Sequence, residues 1–278
     1  MKRRFDQLDV FTGTALRGNP LAVVHAAQGL DDARMAAFAR WTKLSETTFL
    51  LPPTAPGADY RVRIFTPGGE LPFAGHPTLG SCFAWLAAGG VPRTAGQVVQ
   101  QCGVGLVAVR RDGTRLAFEA PALACEPADE ALLQQVCAAL AIGRTQVQAA
   151  DWLDNGPRWL ALRLASAAAV LAVRPDHGRL KTLAKVGLIG AQPAGADTAF
   201  EVRAFASMIG VDEDPVTGSL NAGLAQWLIG QGLAPGRYVA AQGTALGRAG
   251  RVHIERAADG RIWVGGEVAP CISGEVAL

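Results

Sequence analysis

Val62-Arg63-Ile64-Phe65, followed by His76-Pro77-Thr78-Leu79-Gly80-Ser81, is the stretch whose reading decides the fold. The chain repeats its pattern as Val202-Arg203-Ala204-Phe205 followed by Asp214-Pro215-Val216-Thr217-Gly218-Ser219. The offsets are 140 and 138, about half of the 278 residues. Cys102-Gly103 and Gln242-Gly243 keep the same order 140 apart, and Gly18 and Gly156 stand 138 apart. Solenoid repeats have a much shorter period. A single repetition at half the chain implies two similar domains facing each other across a cleft. At the head of the matched motifs His76 stands against Asp214, which points to asymmetric chemistry.

The chain is long enough for two ordinary domains. Half of its residues are hydrophobic and 18% are charged, so a packed core is within reach. The net charge is +2 and the basic residues are scattered, which argues against nucleic acid as a partner. Met1-Lys2-Arg3-Arg4 resembles the charged start of a signal peptide, but it runs into Phe5-Asp6-Gln7-Leu8-Asp9 with no apolar stretch behind it. Residues 160–173 are apolar but short and contain Arg163, so no membrane span is expected. Five cysteines, an odd number with no Cys-x-x-Cys, fit reduced thiols in the cytoplasm.

Alternation and turn residues predict mixed α and β structure. Strands are expected over 5–11, 21–24, 47–51 and 60–65, and two or three more over 97–119. Helices are expected over 31–41, from Pro77 to Ala88, and over 126–141. The second half repeats the plan, with strands near 158–173 and 199–205 and a helix from Pro215 to about Ile229. Strands follow near 237–241, 250–255 and 261–268. This is not the regular alternation of a doubly wound sheet. It reads as α+β, with two curved sheets each wrapped around its own helix. The expected domains are 1–120, with the tail 267–278 returning to it, and 121–266.

The two helix starts carry the site argument. Asp214 before Pro215 is a good helix opening, and His76 before Pro77 is a poorer one. Gly75, Gly80 and Gly218 let a ligand approach the backbone. Helix N-termini offer N–H groups and positive dipole ends, suited to a carboxylate. A charge-assisted contact of that kind is worth about 1.5–3 kcal/mol. Glu46, in Lys43-Leu44-Ser45-Glu46-Thr47-Thr48-Phe49, enters an apolar strand. Partial burial would raise its pKa into the range of a general base; an ordinary cap beside Ser45 explains the same residue equally well. Ser219, His76 and Asp214 do not make a credible triad, since there is no Gly-x-Ser-x-Gly elbow. The four histidines, at 25, 76, 177 and 253, lack metal-ligand spacing, and no phosphate-binding glycine loop is present. No metal and no nucleotide cofactor is expected.

These residues resemble the phenazine-biosynthesis PhzF-like family, and the likeness covers nearly the whole chain. It runs through Asp9-Val10-Phe11-Thr12, Gly18-Asn19-Pro20-Leu21-Ala22-Val23, Leu44-Ser45-Glu46-Thr47-Thr48-Phe49 and Ile64-Phe65-Thr66-Pro67. It continues through Glu70-Leu71-Pro72-Phe73-Ala74-Gly75-His76-Pro77-Thr78, Glu213-Asp214-Pro215-Val216-Thr217-Gly218-Ser219 and Gln242-Gly243. The resemblance implies a diaminopimelate-epimerase-like fold of two pseudo-symmetric domains with the active site between them, a homodimer, and no cofactor. It implies isomerisation of a small carboxylate of the trans-2,3-dihydro-3-hydroxyanthranilate type. Glu46 would be the acid–base, His76 and Asp214 would bind the substrate and assist protonation, and Ser45 would orient Glu46. Gly75, Gly218 and Ser219 would hold the carboxylate. Two departures bear on the pocket: Phe205-Ala206-Ser207 where many relatives carry Phe-Ala-Pro, and Arg40-Trp41-Thr42-Lys43 where smaller or acidic residues are usual.

Three other readings share the scaffold. A two-thiol racemase or epimerase needs cysteines at the helix starts, and Cys82 is offset from them on an expected core face. A non-catalytic carboxylate-binding protein has no need of an acid–base set. A hydrolase or lyase would begin with the same proton abstraction.

Overall fold

The computed structural model describes residues 1–278. They divide into two units, Met1–Glu119 with Gly265–Leu278, and Ala120–Val264. The first unit runs β1 (Lys2–Val10), β2 (Asn19–Val24), α1 (Asp32–Thr42), β3 (Thr47–Leu51), β4 (Tyr60–Thr66), β5 (Gly69–Leu71) and α2 (Gly75–Ala87). It continues through β6 (Gln97–Cys102), β7 (Gly105–Asp112) and β8 (Arg115–Glu119). The second unit runs β9 (Ala124–Pro127), α3 (Glu130–Ala139), β10 (Val147–Asp154), β11 (Arg158–Leu164), α4 (Ala167–Ala172), α5 (His177–Leu180) and β12 (Val186–Ala191). Then come β13 (Phe200–Ala206), β14 (Val211–Asp214), α6 (Gly218–Gly230), β15 (Arg237–Gln242), β16 (Gly250–Arg256) and β17 (Ile262–Gly266). The last strand, β18 (Val268–Ala277), pairs antiparallel with β1.

The repeated sequence is a repeat of strand pairings. In the first unit β1–β2 is antiparallel, β2–β3 parallel, β3–β4 antiparallel and β4–β6 parallel, with β5 beside β4 and β7 beside β6. In the second unit β10–β11, β11–β12, β12–β13 and β13–β15 follow the same order of senses, with β14 beside β13 and β16 beside β15. Even the register recurs: Tyr60 faces Gln100 across the one parallel pair, and Phe200 faces Ala240 across the other.

Each unit has a helix at its centre. Leu79, Cys82 and Ala84 of α2 are buried, and the helix touches β1, β2, β3 and β8. α6 buries ten of its residues, from Gly218 through Ile229, and touches β10 and β16. Both helices are apolar nearly all round, the pattern of a helix enclosed by its own sheet. Glycines permit the close approach. A Cβ at Gly80 would lie 2.4 Å from Leu21 Cδ2, and one at Gly187 would lie 2.3 Å from Leu220 Cδ1. Gly18 is tighter, because its Cβ would meet the backbone oxygen of Val10 at 2.2 Å. Backbone cannot rotate away as a side chain can. Gly18→Ala is therefore predicted to destabilise the fold by about 1–3 kcal/mol, read as a lower midpoint of thermal unfolding. A midpoint equal to the wild type's would show that the β1–β2 connection yields.

Four boundaries differ from the sequence reading. α2 begins at Gly75, not Pro77. Proline is tolerated there because first-turn N–H groups have no partner within the helix. α6 begins at Gly218, with Thr217 as N-cap. Asp214 is still paired to Ala204 in the sheet, so it cannot cap, and Pro215 precedes the helix. The stretch 126–141 splits: Glu126 and Pro127 pair in β9, and α3 starts after Asp129, whose side chain accepts from Leu132 N. The stretch 158–173 turns from β11 into α4 at Ser166, whose hydroxyl accepts from Ala169 N. No helix is long and apolar enough to cross a membrane.

Candidate active site

In the first unit, the end of α1 delivers Glu46. Lys43 leaves the helix in the left-handed region at φ 56°. Thr42 Oγ1 donates to Ala39 O and lies 3.1 Å from Thr47 Oγ1, which ties the four-residue connection to the start of β3. The Glu46 side chain is 16% exposed, and its Oε2 lies 3.4 Å from Nε2 of His76. His76 sits in the first turn of α2, with only 5% of its side chain exposed. On its other side, Nδ1 lies 3.4 Å from Asn19 Nδ2 of β2. With that amide donating, Nδ1 is the accepting nitrogen of the ring.

Burial pushes the Glu46 carboxyl up to about 7, and the Ser45 hydroxyl beside it pulls the other way. No lysine or arginine pairs with it, so desolvation wins. A carboxyl half-ionised near neutral pH can both take and return a proton. Glu46 does not cap α1: the helix ends at Thr42, and Glu46 immediately precedes β3.

The start of α2 is held from behind. Ala74, the N-cap, provides no side-chain acceptor for the first turn. Thr78 Oγ1 donates to Ala74 O and accepts from Gln100 Nε2, and Gln100 Oε1 accepts from the Tyr60 hydroxyl. Gly75 thus opens a helix whose first turn is fixed by buried polar bonds.

The second unit uses the same device more fully. Gln242, wholly buried at the end of β15, spends all four of its hydrogen-bonding positions. Its Oε1 accepts from Thr217 N and Asn221 Nδ2; its Nε2 donates to Asp214 O and Thr217 Oγ1. The Thr217 hydroxyl donates to Asp214 Oδ2 at 2.6 Å and so gives α6 no side-chain cap. The helix therefore starts at Gly218 and Ser219 with its first-turn amides uncapped, the arrangement that favours an anion. Ser219 Oγ accepts from Trp159 Nε1 at 3.2 Å, and its carbonyl accepts from Asn155 Nδ2 at 2.8 Å.

The structure thus brings Glu46, Ser45, Gly75 and His76 together in one unit, and Asp214, Gly218 and Ser219 together in the other. Reading the sequence missed Asn19, Gln100, Gln242 and Trp159 as site residues. Asn19 and Gln242 lie in stretches already singled out, Gly18-Asn19-Pro20 and Gln242-Gly243. Nothing local marks Gln100 or Trp159. Cys82 is buried in α2 and its thiol is pushed up to about 12 by burial, so it is no nucleophile at neutral pH. Of the two departures, Ser207 is buried and its Oγ lies 3.1 Å from His177 Nδ1. Trp41 stacks on Phe38 at 6.0 Å yet remains 75% exposed, an apolar surface five residues before Glu46.

Known proteins resemble the chain along nearly its whole length. The chain is 34% identical to a trans-2,3-dihydro-3-hydroxyanthranilate isomerase of Pseudomonas aeruginosa, over 90% of this chain and 89% of that one. It is 37% identical to the Schizosaccharomyces pombe protein called antisense-enhancing sequence 1, over 98% and 97%. Among solved structures, a Bacillus anthracis protein of the PhzF family superposes with a TM-score of 0.87 at 18% identity, each chain fully covered. A predicted epimerase from Pseudomonas aeruginosa superposes at 0.82 with 31% identity and 99% of each chain covered. A probable proline racemase from Agrobacterium radiobacter shares the fold at 0.65 and 13% identity, covering 99% of this chain and 93% of that one. The model of the family described as phenazine biosynthesis-like protein (PhzC-PhzF) matches residues 8–274, and the chain belongs to that family.

Proposed function

We propose that the chain is an isomerase that moves a proton within a small carboxylate, with Glu46 as the acid–base. One observation carries this reading: a mostly buried carboxyl pushed up to about 7 stands 3.4 Å from a histidine nitrogen. A structural carboxylate at such a cost would normally be paired with a cation. In the proposed reaction ionised Glu46 takes a proton from a carbon of the substrate. The electron pair left on that carbon delocalises through the adjoining unsaturated system. A proton returns at another carbon, from Glu46 or with the help of His76 and Asp214, so the formula is unchanged. No electron leaves or enters the substrate. Ser45 orients Glu46. Gly75, Gly218 and Ser219 supply the amides and hydroxyl that hold the carboxylate. Relatives named as isomerases support the class, and the substrate named for the Pseudomonas aeruginosa relative is the first to test.

The test is solvent-deuterium exchange followed by NMR in D₂O, over a panel of cyclic and amino-acid carboxylates that includes trans-2,3-dihydro-3-hydroxyanthranilate. Deuterium entering one carbon in a Glu46-dependent way is the expected result. Binding of a panel member without exchange would make the protein a carboxylate binder. Because Glu46 must be ionised to accept the proton, kcat/KM is predicted to rise with pH and level off above about 7. The apparent value belongs to the Glu46–His76 pair. A flat profile between pH 5 and 9 would remove Glu46 as the base.

A further inference from the structure

Ser219 carries a constraint that the proton-transfer chemistry does not use. The indole nitrogen of Trp159 only donates, so at 3.2 Å the Ser219 Oγ must accept. A serine hydroxyl has a single proton, and here no protein group receives it. The grip on Ser219 is double, because Asn155, in the turn between β10 and β11, donates to its carbonyl. Trp159 itself is nearly buried, at 4% exposure, and the Lys185 ammonium lies 5.2 Å from the centre of its ring. A cation over the ring face holds the indole in place and draws electron density from it, which strengthens its N–H as a donor. Trp159 on β11, Asn155 in the turn before it and Lys185 just before β12 thus hold Ser219 with its own proton unclaimed by the protein.

We infer that Trp159 is a positioning residue that commits the Ser219 hydroxyl proton to the ligand, and so favours a carboxylate over the carboxamide of the same shape. The inference rests on the reading of Gly218 and Ser219 as carboxylate-binding residues. The indole N–H takes one of the hydroxyl's two lone pairs, so beside the first-turn amides the Ser219 proton faces the ligand, and an NH₂ group there gives that proton no acceptor. A carboxylate is acceptor-only and meets every donor. Without the indole N–H, the hydroxyl is free to turn and accept, and the discrimination narrows.

The experiment compares 3-hydroxyanthranilate with 2-amino-3-hydroxybenzamide by calorimetry, for wild type, Trp159→Phe, Ser219→Ala and the double variant. Phenylalanine keeps the ring and loses the N–H. Wild type is expected to prefer the carboxylate. Trp159→Phe is expected to weaken carboxylate binding by about tenfold, with carboxamide binding within about twofold of wild type. The double variant is expected to bind no more weakly than Ser219→Ala, because the two residues act through one bond. In turnover, KM rises while kcat and the pH profile stay in place. Equal binding of both probes by wild type, binding of neither, an unchanged Trp159→Phe protein, or additive losses in the double variant would each overturn the inference. If Trp159→Phe does not fold, a carboxylate preference that survives in Ser219→Ala overturns it as well. Failure of the Glu46 mechanism is read separately: Glu46→Gln that still turns over sinks the proton-transfer reading and leaves these binding ratios untouched.

Discussion

The Glu46→Gln protein is expected to lose proton exchange by about a thousandfold or more, yet to be more stable than wild type at pH 8. The first effect follows from removing the carboxyl that stands 3.4 Å from His76. The second follows from linkage. The folded protein holds the Glu46 proton up to about 7, whereas its ordinary value is 4.5. The folded state therefore binds more protons than the unfolded chain between those values, and stability falls as pH rises through that window. At pH 8 the ionised, desolvated carboxylate costs up to about 3 kcal/mol, a burden that is absent below pH 4.5. Glutamine keeps the shape and cannot ionise. Thermal unfolding of both proteins at pH 8 and pH 4.5 should show the variant melting higher at pH 8 only. A variant that melts below wild type at both values would mean that Glu46 is a structural ligand of His76. Wild-type turnover by the variant would falsify the acid–base role outright.

Gln242→Leu is expected to be the most damaging single change near the start of α6. Leucine fills the space but removes the side-chain partner of Thr217 N–H, one of the two acceptors of Asn221 Nδ2, and the amide donor to the Asp214 carbonyl. Stranding several buried polar groups costs about 3–5 kcal/mol, which lowers the melting midpoint by about 10 °C. The loss should extend to carboxylate binding, since the Thr217–Ser219 backbone is what Gln242 fixes. Gln242→Glu separates volume from hydrogen bonding. It keeps both acceptor bonds to Thr217 N and Asn221 but turns an oxygen toward the Asp214 carbonyl and Thr217 Oγ1. An equal midpoint for Gln242→Leu and wild type would show that water or a shifted backbone satisfies these groups. The same logic applied to Gln100 predicts a smaller loss, because Gln100 makes two such bonds, with Tyr60 and Thr78.

The repeat at half the chain length was legible because strand pairing is written in local alternation, and both copies keep it. Val62–Phe65 and Val202–Phe205 did prove to be matching strands, each beside a parallel partner from the segment after its helix. The helix starts were less legible. Asp214-Pro215 has the local chemistry of a cap, but pairing with Ala204 keeps Asp214 in the sheet and moves the start to Gly218. Likewise Pro127 broke the helix expected from 126, since its backbone pairs with Asp151. In each case a partner distant in sequence outweighed a local preference.

The sequence by itself determined the repeat of the plan in the two halves, the two enclosed apolar helices and the stretches that hold Glu46, His76 and Asp214, because periodicity and motif are properties of neighbouring residues. Only the tertiary structure decided that Glu46 is desolvated and stands beside His76, that Gln242 rather than Asp214 fixes the start of α6, and that the Trp159 indole donates to Ser219. Ionisation and hydrogen-bond direction depend on which groups meet in space. His76 lies 30 residues from Glu46, Gln242 lies 25 from Thr217, and Trp159 lies 60 from Ser219. No local pattern encodes those distances.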